Sequence, residues 1–151
     1  MNVDVILDVF EDGNIVWMHR DPCKSIASGL SLLAAFIPVN SKPGRFFDSY
    51  MNYFEKSLKK AMAIDQAGNP RLRSVSYKKA KETPIPVIRE LYNHWEYSWE
   101  PEVEDHIDRW KTENPQHKHG VHKYSLEQFG LTKEQIHERF AFYYDTYGEL
   151  L

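Results

Sequence analysis

The segment from Ile26 to Val39 constrains the fold most strongly, because almost every position in it is apolar or small. Its largest apolar side chains recur at helical spacing, at Ile26, Leu30, Leu33 and Ile37. A helix that is apolar nearly all round must be buried by the rest of the chain. Asp21-Pro22 supplies a cap and a first helical residue, and Pro38 ends the pattern. The run is too short to cross a bilayer, which requires about 20 apolar residues.

The elements predicted around this helix give an α+β fold that is mostly helical. Val3–Phe10 and Ile15–His19 look like strands on either side of the turn residues Glu11–Asn14, which predicts an N-terminal β-hairpin. Arg71–Tyr77 alternates weakly and could be a third short strand or a loop. Proline and capping-box signals mark further helix starts. We therefore predict one domain, residues 1–151, in which the hairpin packs on about five helices.

Composition excludes several classes of protein. Cys23 is the only cysteine among 151 residues, so no intrachain disulfide can form. Met1–Phe10 lacks the basic start of a secretory signal, and we expect a cytoplasmic protein without membrane segments. The glycine-rich motifs that hold nucleotides are absent, as are the common zinc-protease and nucleophile-elbow motifs. We therefore predict no cofactor and assign no catalytic residue.

Charge is distributed unevenly, although the net charge of the chain is only −3. Residues 56–81 hold eight basic and one acidic side chain, whereas residues 82–151 hold seven basic and fourteen acidic ones. A basic segment with an aromatic residue such as Tyr77 can neutralise phosphates and stack on a base. One alternative is therefore a nucleic-acid-binding protein that uses Arg71, Arg73, Lys78, Lys79 and Lys81.

Aromatic and acidic residues alternate in the following segment. Five tyrosines and tryptophans between residues 92 and 110 cannot all face inward from two short helices, so some should be exposed. Exposed aromatics within a charged surround are typical of protein interfaces. The residues predicted to bind a partner protein are Tyr97, Trp99, Glu100, Glu102, Glu104 and Asp105.

Histidine, cysteine and carboxylate patterns give weaker candidates. His117, His119 and His122 lie within six residues and could bind a metal, which makes a metal-dependent enzyme the second alternative. Cys23 near a helix start, with His19 four residues earlier, could form a reactive thiol, although a buried cysteine is the commoner outcome. Glu90 and His94 are spaced as a helical acid–base pair, a spacing also common on solvated helix faces.

The favoured hypothesis from sequence is a non-enzymatic cytosolic binding protein. It would be a regulator, inhibitor or immunity-type protein that occupies a partner surface through its acidic and aromatic residues. The divided charge, the surplus of aromatics beside acids and the lack of a catalytic motif support it. The oligomeric state stays open.

Overall fold

A computed structural model describes residues 3–36, 43–115 and 123–151. Eight α-helices and two strands lie in these ranges. In chain order they are α1 (Val3–Val9), β1 (Ile15–His19), α2 (Pro22–Ala34), α3 (Pro43–Gln66), β2 (Leu72–Ser76), α4 (Tyr77–Glu82), α5 (Pro84–His94), α6 (Glu102–Glu113), α7 (Lys133–Arg139) and α8 (Ala141–Tyr147). Short 3₁₀ turns cover Glu127–Phe129 and Gly148–Leu150. The mostly helical class is confirmed.

The predicted β-hairpin is wrong. β1 pairs with β2 in parallel, with Ile15 opposite Leu72 and His19 opposite Ser76. The segment from Arg71 to Tyr77, which was predicted as a third strand or a loop, therefore supplies the partner of β1. A parallel pair needs a long crossover, and here α2 and α3 lie in the crossover between the two strands.

The first apolar run, residues 3–9, forms a helix, and its buried residues lie about one helical turn apart. Val3 and Leu7 are both buried, whereas Val5, Ile6 and Val9 are exposed. A short apolar run is ambiguous between strand and helix until its partners are known. Asp4 of α1 forms an ion pair with Lys60 of α3 at 2.6 Å.

Helix α2 contributes one face to the core, and the prediction that it is buried nearly all round is wrong, because Leu32 is 64% exposed and Ala34 is exposed as well. Ile26 and Leu30 are completely buried, and Pro22, Cys23 and Ala27 are also buried. The helix ends at Ala34, and Ile37 lies outside the described residues. Burying a side chain of this size contributes roughly 1.5–3 kcal/mol, so the helix is held mainly by its packing.

The C-terminal helices α7 and α8 complete the core. Ile136 of α7 and Phe140, between α7 and α8, are almost completely buried, and Tyr143 and Tyr147 of α8 are buried beside them. A capping box between Thr132 and Gln135 begins α7, in agreement with the sequence prediction. Within the described ranges, no helix is both long and apolar enough to cross a membrane.

Candidate functional site

The carboxyl ends of β1 and β2 meet at one edge of the sheet. His19 and Ser76 are the last residues of the paired strands and lie opposite each other. Arg20 and Tyr77 follow them directly, and each strand then leads into a helix, α2 or α4. Ligands in open α/β sheets bind at this edge, because the loops after parallel strands converge there.

A cavity of about 300 Å³ lies at this edge, and we call it the basic cavity. It is lined by the cationic residues Arg20, Lys24, Lys78 and Lys81, together with His19, Asp21, Tyr77, Glu82 and Leu151. Asp21 is already engaged, because its Oδ1 caps α2 at the Cys23 amide (2.8 Å) and accepts from the Tyr144 hydroxyl (2.7 Å). The remaining lining is dominated by positive charge, which suits an anion.

Arg20 is held in place between two tyrosines. Its guanidinium lies 5.0 Å from the centre of the Tyr77 ring, and its Nη2 is 3.4 Å from the Tyr124 hydroxyl. Hydrogen bonding with Ser28, and then with Arg20, lowers the pKa of the Tyr124 hydroxyl. A guanidinium stacked on an aromatic ring is oriented at little entropic cost and keeps donors free for a ligand.

None of the three lysines of the basic cavity forms an ion pair with a residue that the structure describes. Lys24 lies on the first turn of α2, and Lys78 and Lys81 lie on α4. Like charges on one cavity wall repel each other unless an anion neutralises them. The cavity therefore resembles an anion site more than a surface paired within the fold.

His19 forms the wall of the basic cavity next to the core. The residue is fully buried; its Nδ1 lies 2.7 Å from the Tyr143 hydroxyl, and its ring stacks on Tyr147 with centres 4.2 Å apart. Burial lowers the pKa of the imidazole to about 4. The Tyr147 hydroxyl in turn donates to Asp65 at 2.7 Å. His19 is therefore neutral at neutral pH and adds no charge to the cavity.

A second cavity, of about 810 Å³, lies between α4, α5 and α6, and we call it the apolar cavity. Its wall is largely aromatic and aliphatic, formed by Tyr77, Ala80, Pro84, Ile88, Tyr92, Val103, Ile107 and Trp110. Polar groups are supplied by Lys81, His106, Lys111 and Asn114. Tyr77 and Lys81 line both cavities, so the two share a wall.

The predicted acidic and aromatic residues are brought together only in part. Trp99 is half-buried, and its Nε1 donates to Glu104 at 3.3 Å. Glu104 also forms an ion pair with Arg89, whose guanidinium lies over the Trp99 ring. The exposed Tyr97 accepts a hydrogen bond from Asn14. The remaining residues of the set, Glu100, Glu102 and Asp105, are exposed. Their binding of a partner protein stays a prediction.

The basic segment is divided between structural and free cations. Arg71 donates to the carbonyls of Leu7, Phe10 and Glu11 at 2.7–2.9 Å and so caps the end of α1. Arg73 forms an ion pair with Glu90 at 3.5 Å. Lys78 and Lys81 line the basic cavity. The Lys79 amide donates to Ser76 at the start of α4.

The weaker candidates do not form catalytic sets among the described residues. His117, His119 and His122 lie outside the described residues, and no metal-binding group occurs within residues 3–36, 43–115 and 123–151. Cys23 is buried, and burial raises the pKa of its thiol, the opposite of what a reactive thiolate needs.

Glu90 and His94 make separate contacts. Glu90 faces Arg73, whereas Nε2 of His94 lies 3.2 Å from the Pro70 carbonyl. The predicted acid–base pair is therefore not formed.

Sequence reasoning missed Arg20, Lys24 and Tyr124 as residues of a site. The signal for Arg20 and Lys24 was present, because a strand runs through a basic residue directly into a proline-started helix at residues 19–22. Such a turn opens at the ligand edge of a parallel sheet. The predicted hairpin concealed this signal, because the end of a strand in a hairpin does not indicate a ligand site. Tyr124 is more than 100 residues away from Arg20, and no local pattern connects them.

Two crystal structures of bacterial sulfotransferases have the same fold as this chain. The sulfotransferase STF9 from Mycobacterium avium matches with a TM-score of 0.78 and 25% identity over 95% of this chain. The sulfotransferase STF1 from Mycobacterium tuberculosis matches with a TM-score of 0.68 and 21% identity over 92% of this chain. The chain spans 38% and 36% of their lengths. A search of curated proteins found no match.

A family model described as the sulfotransferase family matches residues 1–101, two-thirds of the chain. The match overturns the hypothesis of a non-enzymatic regulator, inhibitor or immunity-type protein, together with the nucleic-acid and metal-enzyme alternatives. The hypothesis was wrong because it relied on the absence of familiar catalytic motifs. That absence excluded only the motifs that were sought, and not enzymes as a class. The chain belongs to the sulfotransferase family.

Proposed function

We propose that this chain contributes the donor-binding part of a sulfotransferase, and that the basic cavity binds the anionic end of an activated sulfate donor. The observation that carries the proposal is the cavity itself, where Arg20, Lys24, Lys78 and Lys81 surround about 300 Å³ at the carboxyl ends of two parallel strands. A chain with a net charge of −3 has no bulk reason to collect four cations there.

The chemistry of sulfuryl transfer explains why cations are needed. Sulfate becomes transferable when it is joined to a good leaving group such as phosphate. During transfer the sulfur–oxygen bond to that group breaks, and the leaving group keeps the electron pair. Cations that are fixed where this charge develops stabilise the transition state more than the ground state. Arg20 and the three lysines are placed to hold such a group.

Arg20 should contribute most to anion binding, because its guanidinium is already oriented. Tyr77 and Tyr124 hold it, so it can present a planar fork to a phosphate or sulfate group. Lysines act as mobile point charges and should contribute less individually. Removing one hydrogen bond to a charged group costs about 1.5–3 kcal/mol, which corresponds to about a 10- to 100-fold loss of affinity.

The test is calorimetric titration with inorganic pyrophosphate at low ionic strength. We expect the Arg20→Ala variant to bind at least about tenfold more weakly than the unaltered chain, and added salt to weaken binding. Arg20→Lys, which keeps the charge and loses the fork, should fall between the two.

Lys56→Ala is the matched control for this titration. Lys56 is an exposed residue of α3 that lines neither cavity, and its loss changes the net charge by the same amount as Arg20→Ala. Its affinity should stay within about twofold of the unaltered chain. Equal weakening in both variants would reduce the effect to net charge, and the absence of pyrophosphate binding would refute the proposal.

A further inference from the structure

Helix α8 binds the turn that carries Arg20, through the residues on either side of it. The Tyr143 hydroxyl lies 2.7 Å from Nδ1 of His19, which is the last residue of β1. The Tyr144 hydroxyl donates to Oδ1 of Asp21 at 2.7 Å, and Asp21 caps the start of α2. Two consecutive residues of α8 therefore bind the two neighbours of Arg20, although they lie more than 120 positions further along the chain.

Packing places the rings of both tyrosines. Tyr143 is 3% exposed, and its ring centre lies 5.7 Å from that of His19. The Tyr144 ring stacks on His137 of α7 with centres 4.3 Å apart. Burial raises the pKa of both phenols well above its usual value, so each keeps the hydrogen of its hydroxyl. Phenylalanine in place of either tyrosine would therefore remove the hydroxyl and keep the ring packing.

The backbone at Arg20 needs such contacts. The ladder between β1 and β2 ends at residue 19, and α2 begins at residue 22, so Arg20 belongs to neither element. Tyr77 and Tyr124 orient the guanidinium but do not hold the backbone from which the side chain starts. Consecutive Cα atoms are about 3.8 Å apart, so contacts at residues 19 and 21 restrict the position of the residue between them. A group that binds a ligand must be held within about 0.5 Å of its working position.

We infer that Tyr143 and Tyr144 are positioning residues of the basic cavity, which hold the turn at residues 19–21 so that Arg20 is placed for the bound anion. This inference rests on the proposed function. Tyr144 binds a charged acceptor, and hydrogen bonds to charged groups are the stronger kind. The same oxygen of Asp21 accepts from the Cys23 amide, so the hydroxyl of Tyr144 also holds the first turn of α2.

Calorimetric titration of Tyr144→Phe with inorganic pyrophosphate at low ionic strength tests the inference, at a temperature where circular dichroism shows that the variant is folded. We expect affinity at least about threefold weaker than in the unaltered chain, because the turn loses one anchor. Tyr147→Phe is the matched control: its hydroxyl, also on α8, donates to the carboxylate of Asp65 at 2.7 Å, and Tyr147 does not line the basic cavity. Its affinity should stay within about twofold, although its unfolding free energy should fall as well. Equal weakening in both variants would overturn the inference.

A double-mutant cycle with Arg20 decides whether the effect passes through that residue. In the Arg20→Ala chain, addition of Tyr144→Phe should change pyrophosphate affinity by less than about twofold, because no guanidinium is left to position. A full loss in that background would overturn the inference and assign the effect to the carboxylate of Asp21, which lines the same cavity and would have lost its partner.

Tyr143→Phe provides a second variant, because its contact with His19 involves no carboxylate. We expect a loss of affinity of at least about threefold, which also disappears in the Arg20→Ala chain. Unchanged affinity in either single variant would refute the role of that tyrosine.

The Arg20→Ala titration separates this inference from the proposed function. Pyrophosphate binding that depends on Arg20, but on neither Tyr143 nor Tyr144, would leave the proposed function standing and refute the positioning role. Binding that is absent, or that is independent of Arg20, would refute both.

Discussion

Burial of His19 should make the stability of the fold depend on pH. The imidazole is inaccessible to solvent and packs between Trp17, Tyr143 and Tyr147, where burial lowers its pKa to about 4. In the unfolded chain the imidazole has its ordinary pKa, 6.5. Below pH 6.5 the unfolded chain therefore takes up a proton that the folded chain refuses. The free energy of unfolding falls as the pH decreases, until both forms are protonated below about pH 4.

The magnitude follows from the two pKa values. One pKa unit corresponds to about 1.4 kcal/mol, and pH 5 lies partway through the interval between them. We expect His19 to account for a loss of about 1–2 kcal/mol of unfolding free energy between pH 7.5 and pH 5. Urea unfolding followed by circular dichroism at pH 7.5, 6.5, 5.5 and 5.0 measures this quantity directly.

The variant that isolates the effect is His19→Phe. Phenylalanine keeps the ring that packs on Tyr147 and removes the titrating group, although it leaves the Tyr143 hydroxyl without its partner. The variant should be less stable at pH 7.5, yet its stability should decline less between pH 7.5 and pH 5 by about 1–2 kcal/mol. His94→Phe, at an exposed histidine, should keep the pH dependence of the unaltered chain. Parallel pH profiles for the unaltered chain and His19→Phe would refute the reasoning.

Three further substitutions test the fold, each by urea unfolding. Gly29→Ala should cost about 1–3 kcal/mol, because a Cβ there would lie 2.5 Å from Cζ of Tyr50. Arg71→Ala should cost about 1–3 kcal/mol, because three carbonyls at the end of α1 lose their donor. Thr132→Ala should cost about 0.5–2 kcal/mol, because the cap that Thr132 and Gln135 provide at the start of α7 is lost.

Each of these substitutions has its own control. Adding Tyr50→Leu to Gly29→Ala should recover part of the loss, and no recovery would assign the cost to another cause. Arg109→Ala, at an exposed residue of α6, should change stability by less than about 0.5 kcal/mol. Thr132→Ser keeps the capping oxygen and should be close to neutral, so a loss as large as that of alanine would contradict the capping argument.

The sequence predicted the elements that are decided locally and failed on those decided by distant contacts. The start of α2 and the capping box of α7 were correct, because each depends on residues within a few positions. The helix over residues 3–9 is capped by a distant residue, since Arg71 binds the carbonyls at its end from more than 60 positions away. The pairing of β1 was equally distant, since Ile15 lies opposite Leu72.

The candidate site was predicted in part for the same reason. Lys78 and Lys81 were identified from the basic segment, but Arg71 and Arg73 were grouped with them although they serve the fold. The sequence shows which side chains are charged, but it does not show which of them are already paired with another group of the fold. Only the pairing of two strands separated by some 50 residues brings Arg20 and Lys24 to α4.

The cationic side chains discussed above are of two kinds, those that contact polar groups of the fold and those that have no ion-pair partner among the described residues. Arg71 binds backbone carbonyls of the fold, so its removal acts on stability, whereas Arg73 forms an exposed ion pair with Glu90 that contributes little. Lys24, Lys78 and Lys81 have no anionic partner among the described residues, yet they share one small cavity with Arg20. Asp21 and Glu82 line the same cavity and offset part of the repulsion among these cations, and an anion that binds there stabilises the folded chain. A cavity in which cations outnumber carboxylates is the electrostatic arrangement that the proposed binding of an anionic donor requires.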